Sequence, residues 1–147
     1  MNSEKAAKSY FSDARLIFHE ASDSQEAGHY HRTVRKCQES VELALKGLLR
    51  LVGVEYPRSH RISGVLTHLQ LSEVATADLA RAAEICDNLA DDREPSFYGT
   101  DEETPEERYD RNDGDRALAD CEFVIHLVHD FFEKFEEAKE AKSRESD

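Results

Sequence analysis

The stretch that decides the fold is Cys37-Gln38-Glu39-Ser40-Val41-Glu42-Leu43-Ala44-Leu45-Lys46-Gly47-Leu48-Leu49, with Gly53-Val54-Glu55-Tyr56-Pro57-Arg58-Ser59-His60 beyond it. Val34, Cys37, Val41, Leu45, Leu48 and Val52 are spaced by three or four residues, which places them on one apolar stripe of an α-helix. Gln38, Glu42 and Lys46 step by four along a neighbouring polar strip. Glu42 before Lys46 is the favourable order for an i,i+4 pair, but an exposed pair of that kind contributes only about 0.2–0.5 kcal/mol. Local helix stability therefore gives little reason for this polar register beside a core stripe, and the three residues become candidates for a ligand or partner cleft. A solvated or interhelical polar face is the competing account.

Working outward, Ala6, Ala7, Tyr10, Phe11, Ala14, Ile17, Phe18 and Ala21 recur at helical spacing and predict a first helix over residues 5–21, interrupted at Ser22-Asp23-Ser24. The second helix is predicted over residues 25–51, closed by Gly53, the residue type that most readily takes the left-handed conformation at a helix end. Ser59 is the expected N-cap of a short third helix through Ile62, Val65, Leu66 and Leu69, with Gly64 weakening its interior. Ser72 or Thr76 is the expected cap of a fourth helix whose stripe is Leu79, Ala82, Ala83, Cys86 and Leu89. No strand-like alternation occurs, so the fold class is all-α.

Residues 91–115 hold Pro95, Gly99, Pro105 and Gly114 among many acids, and predict one long, mobile, irregular loop. Loops of this length in compact domains tend to be functional or mobile, and this one carries Phe97, Tyr98, Tyr109, Arg93, Arg108 and Arg111. The last helix is predicted to begin near residues 113–115. Its residues Ala117, Cys121, Val124, Val128, Phe131, Phe135 and Ala138 alternate in steps of four and three, a 3.5-residue period wide enough to serve both the core and a second helix surface. Together with helix two it is expected to supply most of the core. Residues 142–147 are polar and expected to fray.

The 147 residues suffice for one domain, expected to span residues 1–147. With 19 basic and 32 acidic side chains the net charge is −13, which repels a phosphate backbone at long range and argues against sequence-independent nucleic-acid binding. Cys37, Cys86 and Cys121 each fall among apolar helical residues, as suits buried reduced thiols and a cytoplasmic location. Neither an export signal nor a membrane-spanning run is evident.

The central motif also carries a resemblance. A Gln, a Glu and a Lys at four-residue steps, Leu48-Leu49 after the Lys, and the Gly-x-x-Tyr-Pro-x-Ser-His turn from Gly53 to His60 resemble the signature of HEPN domains, the higher eukaryotes and prokaryotes nucleotide-binding family. The resemblance covers about residues 5–138 and implies an up-and-down bundle of four to five helices. In many HEPN ribonucleases an Arg followed after four to six residues by a His forms a metal-independent site. The corresponding place here is Arg93-Glu94-Pro95-Ser96-Phe97-Tyr98-Gly99, with Tyr98 where the His would stand. A phenol of ordinary pKa near 10 does not exchange protons near neutrality as imidazole does.

What the resemblance implies is therefore a non-catalytic module that binds a nucleotide or a partner protein, for instance a minimal nucleotidyltransferase in a toxin–antitoxin-like pair. Tyr98 would be the residue such a partner modifies, Tyr109 its reserve, and Arg93 a planar fork for phosphate. Family members commonly pair, and with the 3.5-residue stripe this predicts a homodimer. Two alternatives stay open: a ribonuclease toxin using Arg93 with Tyr98 or His60 as proton acceptor, and a structural helical adaptor without ligand.

Other candidates are weaker. His60 in its Ser-Pro turn reads first as a turn-stabilising hydrogen-bonding group and second as a ligand contact. Arg61 and His68 match an Arg-x6-His spacing but are expected within the third helix. His29-x-His31 and His126-x-x-His129 offer two metal ligands each where sites need three or four, so no metal is expected. The glycines form no phosphate loop, and no nucleophile elbow is present.

Overall fold

A computed structural model of the chain describes residues 3–146. Within them lie six helices and no strand: α1 (Ser3–Glu26), α2 (Tyr30–Leu51), α3 (Ser63–Thr67), α4 (Thr76–Tyr98), α5 (Pro105–Arg108) and α6 (Arg111–Ser146). Four are long and two are single turns, so the expected all-α bundle is what the chain forms.

Helix α2 is the hub, packing on α1, α4 and α6. Its apolar stripe explains why: Val34, Cys37, Val41, Leu45 and Leu48 are all buried, joined by Ala44 and Leu49. Close approach to α1 is fixed by Ser40, whose buried hydroxyl donates to the Ala14 carbonyl at 2.7 Å. From α6, Ala117, Cys121, Val124, Val128 and Phe131 close the core, while the stripe runs out of it at half-buried Phe135 and exposed Ala138. All three cysteines are buried free thiols. Gly53 takes the predicted left-handed conformation (φ 74°) after α2, where its amide donates to the Arg50 carbonyl.

The structure corrects several boundaries. Helix α1 continues through Ser22–Ser24 to Glu26, and the chain turns at residues 27–29 instead; Gln25 holds that end down by donating to the Arg111 carbonyl and to Asp115. Ser59 does not cap α3, which begins after Ile62; the Ser59 hydroxyl accepts from the Arg61 amide within the preceding turn. Neither Ser72 nor the Thr76 side chain caps α4, whose N-cap is Ala75. Helix α6 starts at Arg111 and runs to Ser146, so the tail expected to fray is helical as far as it is described; Asp147 lies outside the described residues, as do Met1 and Asn2.

The largest correction concerns residues 91–115. Residues 91–98 are the last two turns of α4, with Pro95 inside the helix, and α5 and the start of α6 take up most of the remainder. An internal Pro costs a helix about 3 kcal/mol, which is why the segment reads as a loop. Tertiary contacts offset that cost. Arg93 donates to Gln38 of α2, Tyr109 donates to Asp92, and Arg61 pairs with Asp91, so three successive residues of the extension are tied to other elements. Gly99 then ends the helix at φ 76°, its amide donating to the Pro95 carbonyl at 2.8 Å.

Candidate functional site

The polar strip of α2 faces the end of α4 and the turn that follows Gly53. Gln38 is 2% exposed, so each polar atom of its amide requires a partner, and it has them: Oε1 accepts from Arg93 Nη1 at 2.7 Å and Nε2 donates to Glu42 Oε1 at 2.9 Å. Only this orientation of the amide is consistent, because a guanidinium only donates and a carboxylate only accepts. Glu42 Oε1 also accepts from His60 Nδ1 at 2.7 Å, and Oε2 accepts from Lys46 Nζ at 2.9 Å. Burial pushes the Glu42 carboxyl up, but the hydrogen bonds from Lys46, His60 and Gln38 outweigh it, so its pKa falls below the ordinary value. Because Nδ1 of His60 donates to that carboxylate, Nε2 is left as the acceptor in the neutral ring.

Arg93, Gln38, Glu42, Lys46 and His60 are thus one hydrogen-bonded chain, drawn from three distant segments. It borders a cavity of about 410 Å³ lined by Ser59, His60, Arg61, Ala90, Arg93, Glu94, Phe97 and Tyr98. The two arginines differ in electrostatic state. Arg61 pairs with the Asp91 carboxylate and donates to the Asp87 carbonyl. Among the described residues no carboxylate oxygen comes within 4.0 Å of the Arg93 guanidinium; its polar partner is an uncharged amide, and its Cζ lies over the Phe97 ring, 5.3 Å from the ring centre. Arg35 of α2 sits over the same ring at 4.3 Å. Such a site presents positive charge and aromatic surface to one concave space, a combination suited to a phosphate attached to something planar, with the His60 acceptor open to an N–H or O–H of the planar group and not to the phosphate, which only accepts.

Tyr98 stands at the rim, 79% exposed. Tyr109 does not join it: it is 5% exposed and its hydroxyl donates to Asp92 at 2.8 Å, beside a separate cavity. Arg61 and His68 both lie outside α3, and only Arg61 lines the cleft; His68 Nδ1 contacts the Gly64 carbonyl. Sequence reading missed Arg35 and the part played by Phe97. The signal was the i,i+4 spacing of Arg93 and Phe97, which has meaning only once residues 91–98 are known to be helical.

A family model for the HEPN domain matches residues 7–140. The chain belongs to the HEPN family. No curated protein matches the sequence. Among solved structures, this HEPN chain is similar to TT1696 from Thermus thermophilus, with 25% identity and a TM-score of 0.69 over 88% of this chain and 98% of that one. It is also similar to ST0689, an archaeal HEPN homologue, with 26% identity and a TM-score of 0.66 over 84% and 94% of the two chains. No helix of the described HEPN residues is long and apolar enough to cross a membrane.

Proposed function

We propose that this HEPN chain is a non-catalytic binding module whose cleft, between the residue 56–62 turn and the end of α4, takes the phosphate of a nucleotide delivered by a partner of the nucleotidyltransferase type. The observation that carries this reading is the Arg93 guanidinium, fixed by neutral Gln38 and free of any carboxylate partner among the described residues, on the wall of a cavity it shares with His60. A neutral anchor positions the guanidinium without cancelling its charge, which leaves that charge for an anion. Tyr98, at the rim with its ring 5.9 Å from Phe97, offers the exposed hydroxyl that such a partner would modify; by family analogy the chemistry belongs to the partner. The test is calorimetry with ATP, repeated on Arg93→Ala, and mass spectrometry of Tyr98 in protein isolated from its own cells. Saturable binding lost in the variant, or a nucleotidyl group on Tyr98, supports the reading. Failure of both leaves the structural adaptor.

A second reading has its own observation. His60 lines the cavity beside Arg93, with Nδ1 held by a carboxylate and Nε2 left as acceptor, which is how an imidazole is oriented for general-base work. Metal-free cleavage of RNA by the pure protein, abolished in both His60→Ala and Arg93→Ala, would establish a ribonuclease in place of the binding module.

A further inference from the structure

Outside the Arg93 cleft, α1 and α6 run antiparallel and leave a groove between them. Lys8 meets Glu136 at 2.7 Å and Phe11 meets Phe132 with ring centres 5.0 Å apart; further along α1, Phe18 and His19 border a space with Ile125 and His126. Two cavities, of about 370 and 290 Å³, adjoin in this groove and share Arg15 and His19 in their walls. Neither shares a residue with the cleft. We propose that the groove is a docking site for an amphipathic helix of a partner protein, apolar on its inner face and acidic along its edges.

The shape argues for a helix. The α1 residues of the groove run from Lys8 to His19, which at 1.5 Å per residue is about 16 Å, or about three helical turns. Phe11, 6% exposed, and half-buried Phe132 make an aromatic floor, and Leu16 stands beside it 59% exposed. Among the described residues only Leu16 and Tyr98 are large hydrophobic side chains left exposed; Tyr98 belongs to the cleft, Leu16 to this groove. A lone exposed Leu needs no explanation, but one that continues an aromatic floor extends an apolar strip. A docked helix fills such a strip with apolar anchors three or four residues apart.

Charge selects the partner. The chain holds 32 acidic and 19 basic side chains, yet neither cavity lining includes a carboxylate; Lys8, Arg15 and the imidazoles of His19, His126 and His129 supply the polar groups along with Ser12. Acids stand only at the two ends, where Glu4 and Glu136 pair with Lys8, and Asp130 and Glu133 lie beside His129. Between those ends Arg15 has no carboxylate oxygen within 4.0 Å among the described residues, and its guanidinium lies 6.0 Å from the Phe11 ring centre. A ring face holds a cation without neutralising it, so the Arg15 charge is left for a carboxylate from outside. A second copy paired about a two-fold axis would set the same carboxylate-free lining against itself, and would bring Arg15 no counter-charge.

The test uses the full chain and a fluorescent peptide of about 15 residues, the length at which an isolated helix begins to hold in water. The peptide carries Leu at helical spacing on one face and Glu on its flanks; its twin carries Lys for every Glu. Anisotropy should show saturable micromolar binding of the Glu peptide and a preference of at least about tenfold over the Lys twin. Arg15→Glu and Leu16→Asp, both at exposed positions, should each weaken the Glu peptide by at least about tenfold while keeping the helical circular dichroism of the parent, and Arg15→Glu should narrow the preference over the Lys twin. Lack of saturable binding up to millimolar peptide overturns the proposal, as does undiminished affinity in either variant. Equal binding of the two twins, or of polyglutamate without an apolar face, would leave only one half of the recognition and overturns it too. A change of mass by light scattering in Arg15→Glu would assign the groove to a second copy, and sedimentation with phosphatidylserine vesicles in place of peptide binding would assign it to a membrane.

Discussion

Glu42→Ala is the perturbation that most directly tests the hydrogen-bonded chain at the centre of this fold. Glu42 and Lys46 side chains are only 16% and 15% exposed, so their ion pair is shielded in a way that an ordinary helix-surface pair is not. Truncation leaves two groups in need of partners. Gln38, almost fully buried, keeps an amide donor that water does not reach, which costs about 1–3 kcal/mol. Lys46 keeps an ammonium that can turn toward solvent only by giving up its place 5.5 Å from the Tyr56 ring centre, a loss of about 1 kcal/mol after screening. His60, 51% exposed, adds little. The sum is a destabilisation of about 2–4 kcal/mol, to be read as a fall in urea midpoint at constant m-value. Repeating the truncation in a Lys46→Met background should give a smaller loss, because residues that share one network are non-additive. A loss under about 0.5 kcal/mol in the parent background is the value of an exposed i,i+4 pair, and would refute the claim that Glu42 organises the site.

Phe131→Ala should cost about 3–5 kcal/mol by denaturant unfolding, since the ring is 3% exposed in the α6 stripe. Gly99→Ala should lose about 2 kcal/mol or more: its left-handed backbone disfavours a side chain, and a Cβ there would run into the Glu103 carbonyl oxygen. Asp92 is a pH test. Burial raises its pKa more than the hydrogen bond from Tyr109 and the nearby Arg108 charge lower it, so the folded state holds the proton more tightly than the unfolded chain. That contribution is complete below the ordinary Asp value of about 3.9 and is lost as pH rises through the folded value. Asp92→Asn, which still accepts from Tyr109, should therefore be at least as stable as the parent at pH 7 and should flatten the pH profile of stability on the acid side. Light scattering at micromolar concentration should give twice the 16.8 kDa chain mass, and a monomer mass would remove the expected homodimer.

The helices that were legible from sequence are those whose apolar stripe coincides with burial, as Val34 to Leu48 and Ala117 to Phe131 do. Gln38, Glu42 and Lys46 were legible as a group for a different reason: a polar register beside a core stripe demands an explanation, and the structure gives it a partner in Arg93, while His60, read from its turn, joins them only through the fold. What escaped was held in place by tertiary contact. Pro95 and the acids around it announce a loop, and nothing local reveals that Gln38, Tyr109 and Arg61 hold those two turns in helical form. Tyr109 was misjudged for the same reason, since an aromatic in an acidic, Pro-flanked segment reads as available until its hydroxyl is found against Asp92.

On the proposed reading, the charge of Arg93, which meets no carboxylate partner among the described residues, sits in a molecule of net charge −13, and this would make the cleft a filter by size. At physiological ionic strength a field is screened over about 8 Å. A mononucleotide or a single terminal phosphate lodged against Arg93 responds mainly to the few groups within that distance, whereas a long polyanion must also lie along the acidic surface beyond it and is turned away. Salt would then act in opposite directions on the two classes of ligand, weakening the small anion while relaxing the exclusion of the long one.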